Sequence, residues 1–175
     1  MLTIHNLKYQ GVFGKNVMGD VLGLDWKYFN NGDLEFYDAV NFMKGGIIYS
    51  DYVSTVSKTY AQEIQYEYFG EHLDGLLRSR RDTLFGIVNG ISYDQYNPET
   101  DKNLFVNYNS SNSFERKCDN KVKLQELLGL PQSRKTPMVS MVTRLVAAKG
   151  MDLVVRMMDE LLQHEDFQFV LLGTG

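Results

Sequence analysis

The sequence predicts an α/β protein built on parallel sheets, and three observations carry that prediction. Short apolar, β-prone runs alternate with helical patterns, the order imposed by parallel sheets that helices cover. At 175 residues with 43% hydrophobic and 23% charged content, the composition is globular and the chain is long enough to bury a core. Residues 138–172 read as strand, helix and strand over about 35 residues, the size of one βαβ crossover.

Taken in order, the strand candidates are Leu2–Ile4, Tyr52–Val56, Leu84–Val88, Met138–Val142 and Phe167–Leu172. Helices are expected over Ala39–Tyr49, Thr59–Phe69, Leu73–Arg80 and Met151–His164. In the last of these, Leu153, Val154, Met157, Met158, Leu161 and Leu162 form one apolar stripe, with Arg156, Asp159 and Glu160 outside it. A further helix is expected from a Ser113 N-cap to Leu128, closed by Gly129 and stopped before Pro131. Between Val88 and Met138 the chain changes character, with a turn-forming Asn97–Asp101 and a polar stretch from Asn107 to Ser113. That change divides the chain into an α/β domain over 1–96, a linker with a connecting helix over 97–136, and a βαβ unit of a second domain over 137–175.

Net charge is −4, which gives no general attraction to nucleic acid or to an anionic membrane. The basic run Arg78-Ser79-Arg80-Arg81 closes a predicted helix, where cations suit the dipole, and is read as a solvated helix end. Cys118 is the only cysteine, so an intrachain disulfide and a cysteine-based zinc cluster are excluded. No apolar run approaches the roughly 18–20 residues that span a bilayer, and the first residues have no signal-peptide pattern. The expectation is a cytoplasmic protein. Both ends are expected to be cut, since a strand opens the chain and another closes it.

The site candidates sit at predicted strand ends, where open α/β sheets bind ligands. Arg144 follows the Met138–Val142 strand, and Lys149 with Gly150 opens the next helix. Two cations beside a helix N-terminus suit a diphosphate, although loop cations paired with Asp152 or with solvent give the same pattern. His5 and Asn6 follow the first strand, where a histidine either donates to a substrate hydroxyl or bonds a nearby carbonyl. Tyr9-Gln10-Gly11, with Trp26 and Phe29, offers groups that face sugars or pack a loop. Asn89-Gly90 follows the third strand and also fits a simple turn. Gly173 and Gly175 follow the last strand and suit a phosphate-facing turn only weakly. The sequence contains no G-x-x-x-x-G-K-[ST], H-E-x-x-H or G-x-S-x-G, and His5, His72 and His164 lack metal-ligand spacing.

Five segments in order resemble one family. They are Leu2–Gly11 (LTIHNLKYQG), Val56–Ile64 (VSKTYAQEI), Gly86–Ile91 (GIVNGI), Asn97–Asp101 (NPETD) and Val142–Gly150 (VTRLVAAKG). Together they are similar to bacterial glycogen synthases and the related plant starch synthases, and the likeness runs along essentially the whole chain. The resemblance implies a GT-B enzyme: parts of two Rossmann-like domains with parallel sheets, both incomplete. It implies a retaining glycosyltransferase that moves glucose from ADP-glucose to the non-reducing end of an α-1,4-glucan, with no metal and no cofactor. Alternatives within that reading are a GT-B relative using another nucleotide sugar such as UDP-glucose, or a truncated, non-catalytic glucan- or nucleotide-binding module.

Carried over by residue, the resemblance gives Arg144 and Lys149 the donor diphosphate and His5 the donor glucose and the reacting centre. Asn6 and Asn89 would line the sugar side of the cleft, and Gly150, Gly173 and Gly175 would approach the substrate. The sequence departs from the family at Ser92, usually aspartate, at Tyr96, usually tryptophan, and at Ala148, usually glutamine. The family's lysine-glycine-glycine loop would precede Met1, and its acidic donor-facing segment would follow Gly175. The 175 residues are therefore expected to be the middle third of such an enzyme, inactive alone.

Overall fold

The structure, a computed structural model, describes residues 1–164 and 166–175. Its strands are Leu2–Ile4 (β1), Val12–Phe13 (β2), Glu35–Phe36 (β3), Ala39–Asn41 (β4), Val53–Thr55 (β5), Leu84–Gly86 (β6), Met138–Val142 (β7) and Gln168–Leu172 (β8). The helices are Lys27–Asn30 (α1), Phe42–Tyr49 (α2), Lys58–Glu63 (α3), Asp74–Ser79 (α4), Ser113–Leu127 (α5) and Met151–His164 (α6). The chain divides once, into compact units Met1–Ile91 and Ser92–Gly175.

The first unit is built on a parallel sheet of order β1-β5-β6, with Ile4 opposite Thr55 and Thr55 opposite Gly86. All three residues of β5 are buried, as a central strand requires. Its two polar members keep partners: Ser54 Oγ lies 2.9 Å from Thr3 Oγ1, and Thr55 Oγ1 donates to Ile4 O at 2.8 Å. Around the sheet, Ile4, Leu7, Ile47, Val53, Ile64, Leu77 and Leu84 form the main core.

Helix α2 begins at Phe42 rather than Ala39. Residues 39–41 are strand β4, and the Asn41 side chain caps the helix by accepting from Lys44 N at 2.9 Å. A small antiparallel sheet of order β2-β4-β3, absent from the sequence expectation, covers a second core of Val17, Met18, Phe29, Leu34 and Val40. Its β3–β4 hairpin turns through Tyr37 and Asp38, at φ 50° and 66°, the signs of a type I′ turn. Glu71 and His72 repeat that pattern at φ 47° and 66°, closed by Leu73 N to Gly70 O at 2.7 Å. The two turns meet, with the Tyr37 and His72 rings edge to face at 5.6 Å.

The expected helix over Thr59–Phe69 is shorter: it spans Lys58–Glu63, and residues 64–69 run through turns. The basic run is more than a solvated end. Arg80 donates to Ile47 O, Ile48 O, Ser50 O and Asp51 O, at 2.5–3.2 Å, and so closes the C-terminus of α2 from the end of α4.

In the second unit β7 and β8 pair in parallel, Met138 opposite Gln168 through Val142 opposite Leu172. Val139, Met141 and Phe169 on one face of the pair and Val154, Met157, Met158 and Leu161 of α6 line a cavity of about 380 Å³. Leu153 and Leu162 of the expected stripe are outside that lining and are exposed. Met138 and Ser140 on the opposite face line a second cavity, of about 560 Å³, together with Lys121 and Leu124 of α5. Helix α5 starts at Ser113, with Asn112 in the cap position and no side-chain cap bond. The fully buried Gln125 ties it to the loop and strand beyond, donating to Ser133 O and Gln168 Oε1 and accepting from Ser133 N. Among the described residues no helix is long and apolar enough to cross a membrane.

Candidate functional site

The candidate residues fall into two groups, one in each unit. In the first unit β1, β5 and β6 run parallel, so the residues after each strand emerge at one edge of the sheet. His5 and Asn6 leave that edge after β1, and Asn89 lies three residues past the β6 end; all three are exposed. The Asn6 side-chain oxygen Oδ1 accepts from Lys8 N at 3.0 Å, and its backbone oxygen accepts from Tyr9 N at 3.3 Å. After β6 the chain keeps one further bond, Ile87 N to Thr55 O at 2.7 Å, and then departs from the sheet. At Gly86 a Cβ would collide with the backbone of Ser57 and Lys58, so glycine lets β6 pass against the start of α3.

Of the sugar-facing candidates, Gln10 serves the loop. It is buried, donates to Glu71 O at 2.8 Å and accepts from Asn41 Nδ2 at 2.5 Å. Phe29 is in the second core, whereas Tyr9 and Trp26 stay exposed at 68% and 48%.

In the second unit the strand pair ends in a shallow cleft of about 360 Å³ lined by Val142, Thr143, Arg144, Leu172, Gly173 and Thr174. Its floor is made by two loops lying backbone to backbone. Thr143 N donates to Leu172 O at 3.0 Å, and Leu145 N donates to Thr174 O at 2.9 Å. A Cβ at Gly173 would enter Thr143 O, and one at Gly175 would lie 2.6 Å from Leu145 O. These glycines therefore admit the Arg144 segment to close contact, a role that no glycine spacing in the sequence signals.

Arg144 is exposed, and among the described residues neither it nor Lys149 has a carboxylate partner within salt-bridge distance. Lys149 ends a 3₁₀ turn over Ala147–Lys149. Gly150, at φ 72°, carries the chain from that turn into α6, and Val154 N to Gly150 O at 3.1 Å is the helix's first bond. As at any helix start, the amides before Val154 have no helical acceptor, and the macrodipole adds a positive potential. Among the described residues, two cations without a carboxylate partner lie near a helix start, and one of them lines a cleft at the carboxyl ends of parallel strands; these are features that suit an anion.

Comparison with known proteins gives this geometry relatives. Residues 1–79 match the family model described as the starch synthase catalytic domain. The whole chain is 57% identical to a glycogen synthase of Clostridium acetobutylicum and 53% identical to one of Clostridioides difficile, spanning 36% of the length of each. Among solved structures, the catalytic domain of starch synthase IV from Arabidopsis thaliana, bound to ADP and acarbose, superposes with a TM-score of 0.87 at 38% identity. That match covers 98% of this chain and 35% of the plant chain. Over its whole length the chain is therefore similar to glycogen and starch synthases, and it has the GT-B type of α/β fold seen in the plant catalytic domain.

Proposed function

We propose that the gene product bearing these residues is a retaining glycosyltransferase that moves glucose from ADP-glucose to the non-reducing end of an α-1,4-glucan. The observation that carries this reading is the exposed, unpaired Arg144 over the Gly173–Gly175 turn, with Lys149 at the entry to α6. When the bond between the anomeric carbon and the donor phosphate breaks, negative charge grows on the departing ADP. A guanidinium fork and an ammonium held beside free helix amides stabilise that charge more than they stabilise the bound donor, which lowers the barrier. The neutralising charge is supplied by side chains, so the proposed reaction needs no metal ion.

On the other unit, His5 donates to a hydroxyl of the transferred glucose and faces the reacting centre. Asn6 and Asn89 hold further sugar hydroxyls, and Gly150 shapes the turn that presents Lys149. The 175 residues correspond to 36% of the length of the relatives. We therefore assign turnover to the complete gene product and expect the 175-residue piece alone to be inactive.

Calorimetric titration of the complete gene product with ADP, alongside turnover with ADP-glucose or UDP-glucose and glycogen, tests the assignment. Arg144→Ala and Lys149→Ala should each weaken ADP binding by about 10- to 100-fold, the usual worth of a charge-assisted hydrogen bond. ADP-glucose should be the better donor, and EDTA should leave the rate unchanged. Unaltered ADP binding in both variants would remove the phosphate assignment.

A further inference from the structure

The segment Val56–Ile64 is one of five that match the family, yet nothing in the proposed chemistry uses it. Its third helical residue supplies a reason. Tyr60 lies in α3, half-buried, with its ring against the main core and its hydroxyl accepting from Leu7 N at 3.0 Å. Leu7 closes the short exposed stretch that holds His5 and Asn6, and Ile4 opens it; both flanking residues are 0% exposed. The opening side is fixed from the same segment of chain, because Thr55 Oγ1 donates to Ile4 O at 2.8 Å. Tyr60 is itself fixed, since the Ser57 side chain caps α3 by accepting from Tyr60 N at 3.3 Å.

An exposed dipeptide between two buried residues moves only as far as its ends allow. Here both ends are pinned by side-chain hydrogen bonds from residues 55–60. We propose that Tyr60, with Thr55, is a positioning residue that sets the place of His5 over the transferred sugar. The inference rests on the catalytic reading of His5, and it gives Val56–Ile64 a function beyond packing. Removing the Tyr60 hydroxyl leaves the Leu7 amide without its acceptor in a buried setting, and the dipeptide shifts to recover one. Shifts of about 1 Å at a reacting centre cost up to about 100-fold in rate.

The test uses the complete gene product with Tyr60→Phe, His5→Ala and the pair combined. Tyr60→Phe should lower kcat by about 10-fold and leave the KM for ADP-glucose within about twofold, because the diphosphate grip is elsewhere. In the His5→Ala background the same change should alter kcat by less than about twofold, since two residues acting through one group are not additive. As an activity-independent reading, the imidazole NMR signal that vanishes in His5→Ala should move in Tyr60→Phe and stay in place in Tyr66→Phe, a change at an exposed tyrosine. Should Tyr60→Phe fail to fold, Thr55→Val is expected to give the same kinetic pattern and the same His5 shift.

An unchanged kcat and an unmoved His5 signal in Tyr60→Phe would overturn the positioning role. So would a loss that is confined to KM or that multiplies fully with His5→Ala. If His5→Ala itself keeps the wild-type kcat, the catalytic reading of His5 falls, and the positioning role falls with it.

Discussion

Replacing Arg80 with methionine keeps an unbranched stem, two atoms shorter, and removes every donor that closes α2. The cost depends on where the four freed carbonyls sit. Asp51 is exposed, so water recovers most of what its oxygen loses, whereas Ile48 and Ser50 are half-buried and Ile47 is buried. One buried and two half-buried carbonyls left short of partners at about 1 kcal/mol each give about 3 kcal/mol of lost stability. The loss of a cation from a helix C-terminus adds a few tenths to about 1 kcal/mol. For a protein of this size that is a fall of about 5–15 °C in the melting temperature, read by circular dichroism. Arg80→Lys should fall between the two, because an ammonium has three donors and no planar fork to span carbonyls on two turns of chain. A melting temperature for Arg80→Met within about 1 °C of wild type would show that these bonds add nothing net, and the capping role of Arg80 would be refuted.

Two further predictions concern the same unit. Asp38→Gly should raise stability by about 0.5–1 kcal/mol, because the type I′ turn holds Asp38 at φ 66° and glycine adopts that conformation without strain. The ion pair with Lys15 that is lost in the change leaves Asp38 80% exposed and contributes little; a lower melting temperature would refute the strain at this position. The Tyr49 hydroxyl donates to Asp33, and this bond, with smaller effects of burial and of the neighbouring negative charge, holds the phenol above its ordinary 10.0. A raised folded-state value means that the folded chain binds the proton more tightly. The contribution is therefore complete below pH 10 and is lost as pH rises through the folded-state value. Alkaline melts of wild type should lose stability faster than those of Tyr49→Phe between pH 10 and the folded-state value, and parallel curves across that interval would refute the coupling.

The parallel strands were legible because their apolar runs are short, β-prone and separated by helical patterns. Met138–Val142 and Met151–His164 matched residue for residue. The hairpin sheet was hidden for two reasons. Its turn is Tyr37-Asp38 rather than the Asn-Gly that type I′ geometry favours, and Ala39–Asn41 extends the helical spacing of α2 by one turn. The observed cap of α2 is Asn41, two residues past the expected start at Ala39. At the site, Arg144 and Lys149 were legible from position, since strand ends can be counted along a sequence. The work of Gly173, Gly175, Arg80 and Tyr60 was not, because each acts on a partner 29 to 53 residues away that only folding brings near.

The hydrogen bonds that join the Arg144 segment to residues 172–174 are made by main-chain groups, with the apolar Leu145 side chain beside them. Peptide amides and carbonyls do not titrate in the working range and carry no net charge for salt to screen. The seat of Arg144 should therefore be indifferent to pH and ionic strength, while the grip it exerts is not. Any salt dependence measured for the anion can then be attributed to the two cations and their ligand, and not to loosening of the loops beneath them. Thr143 and Leu145 bond the facing loop through their backbones, so those two bonds do not depend on which side chain stands there. At the two glycines opposite, any Cβ would run into backbone oxygen.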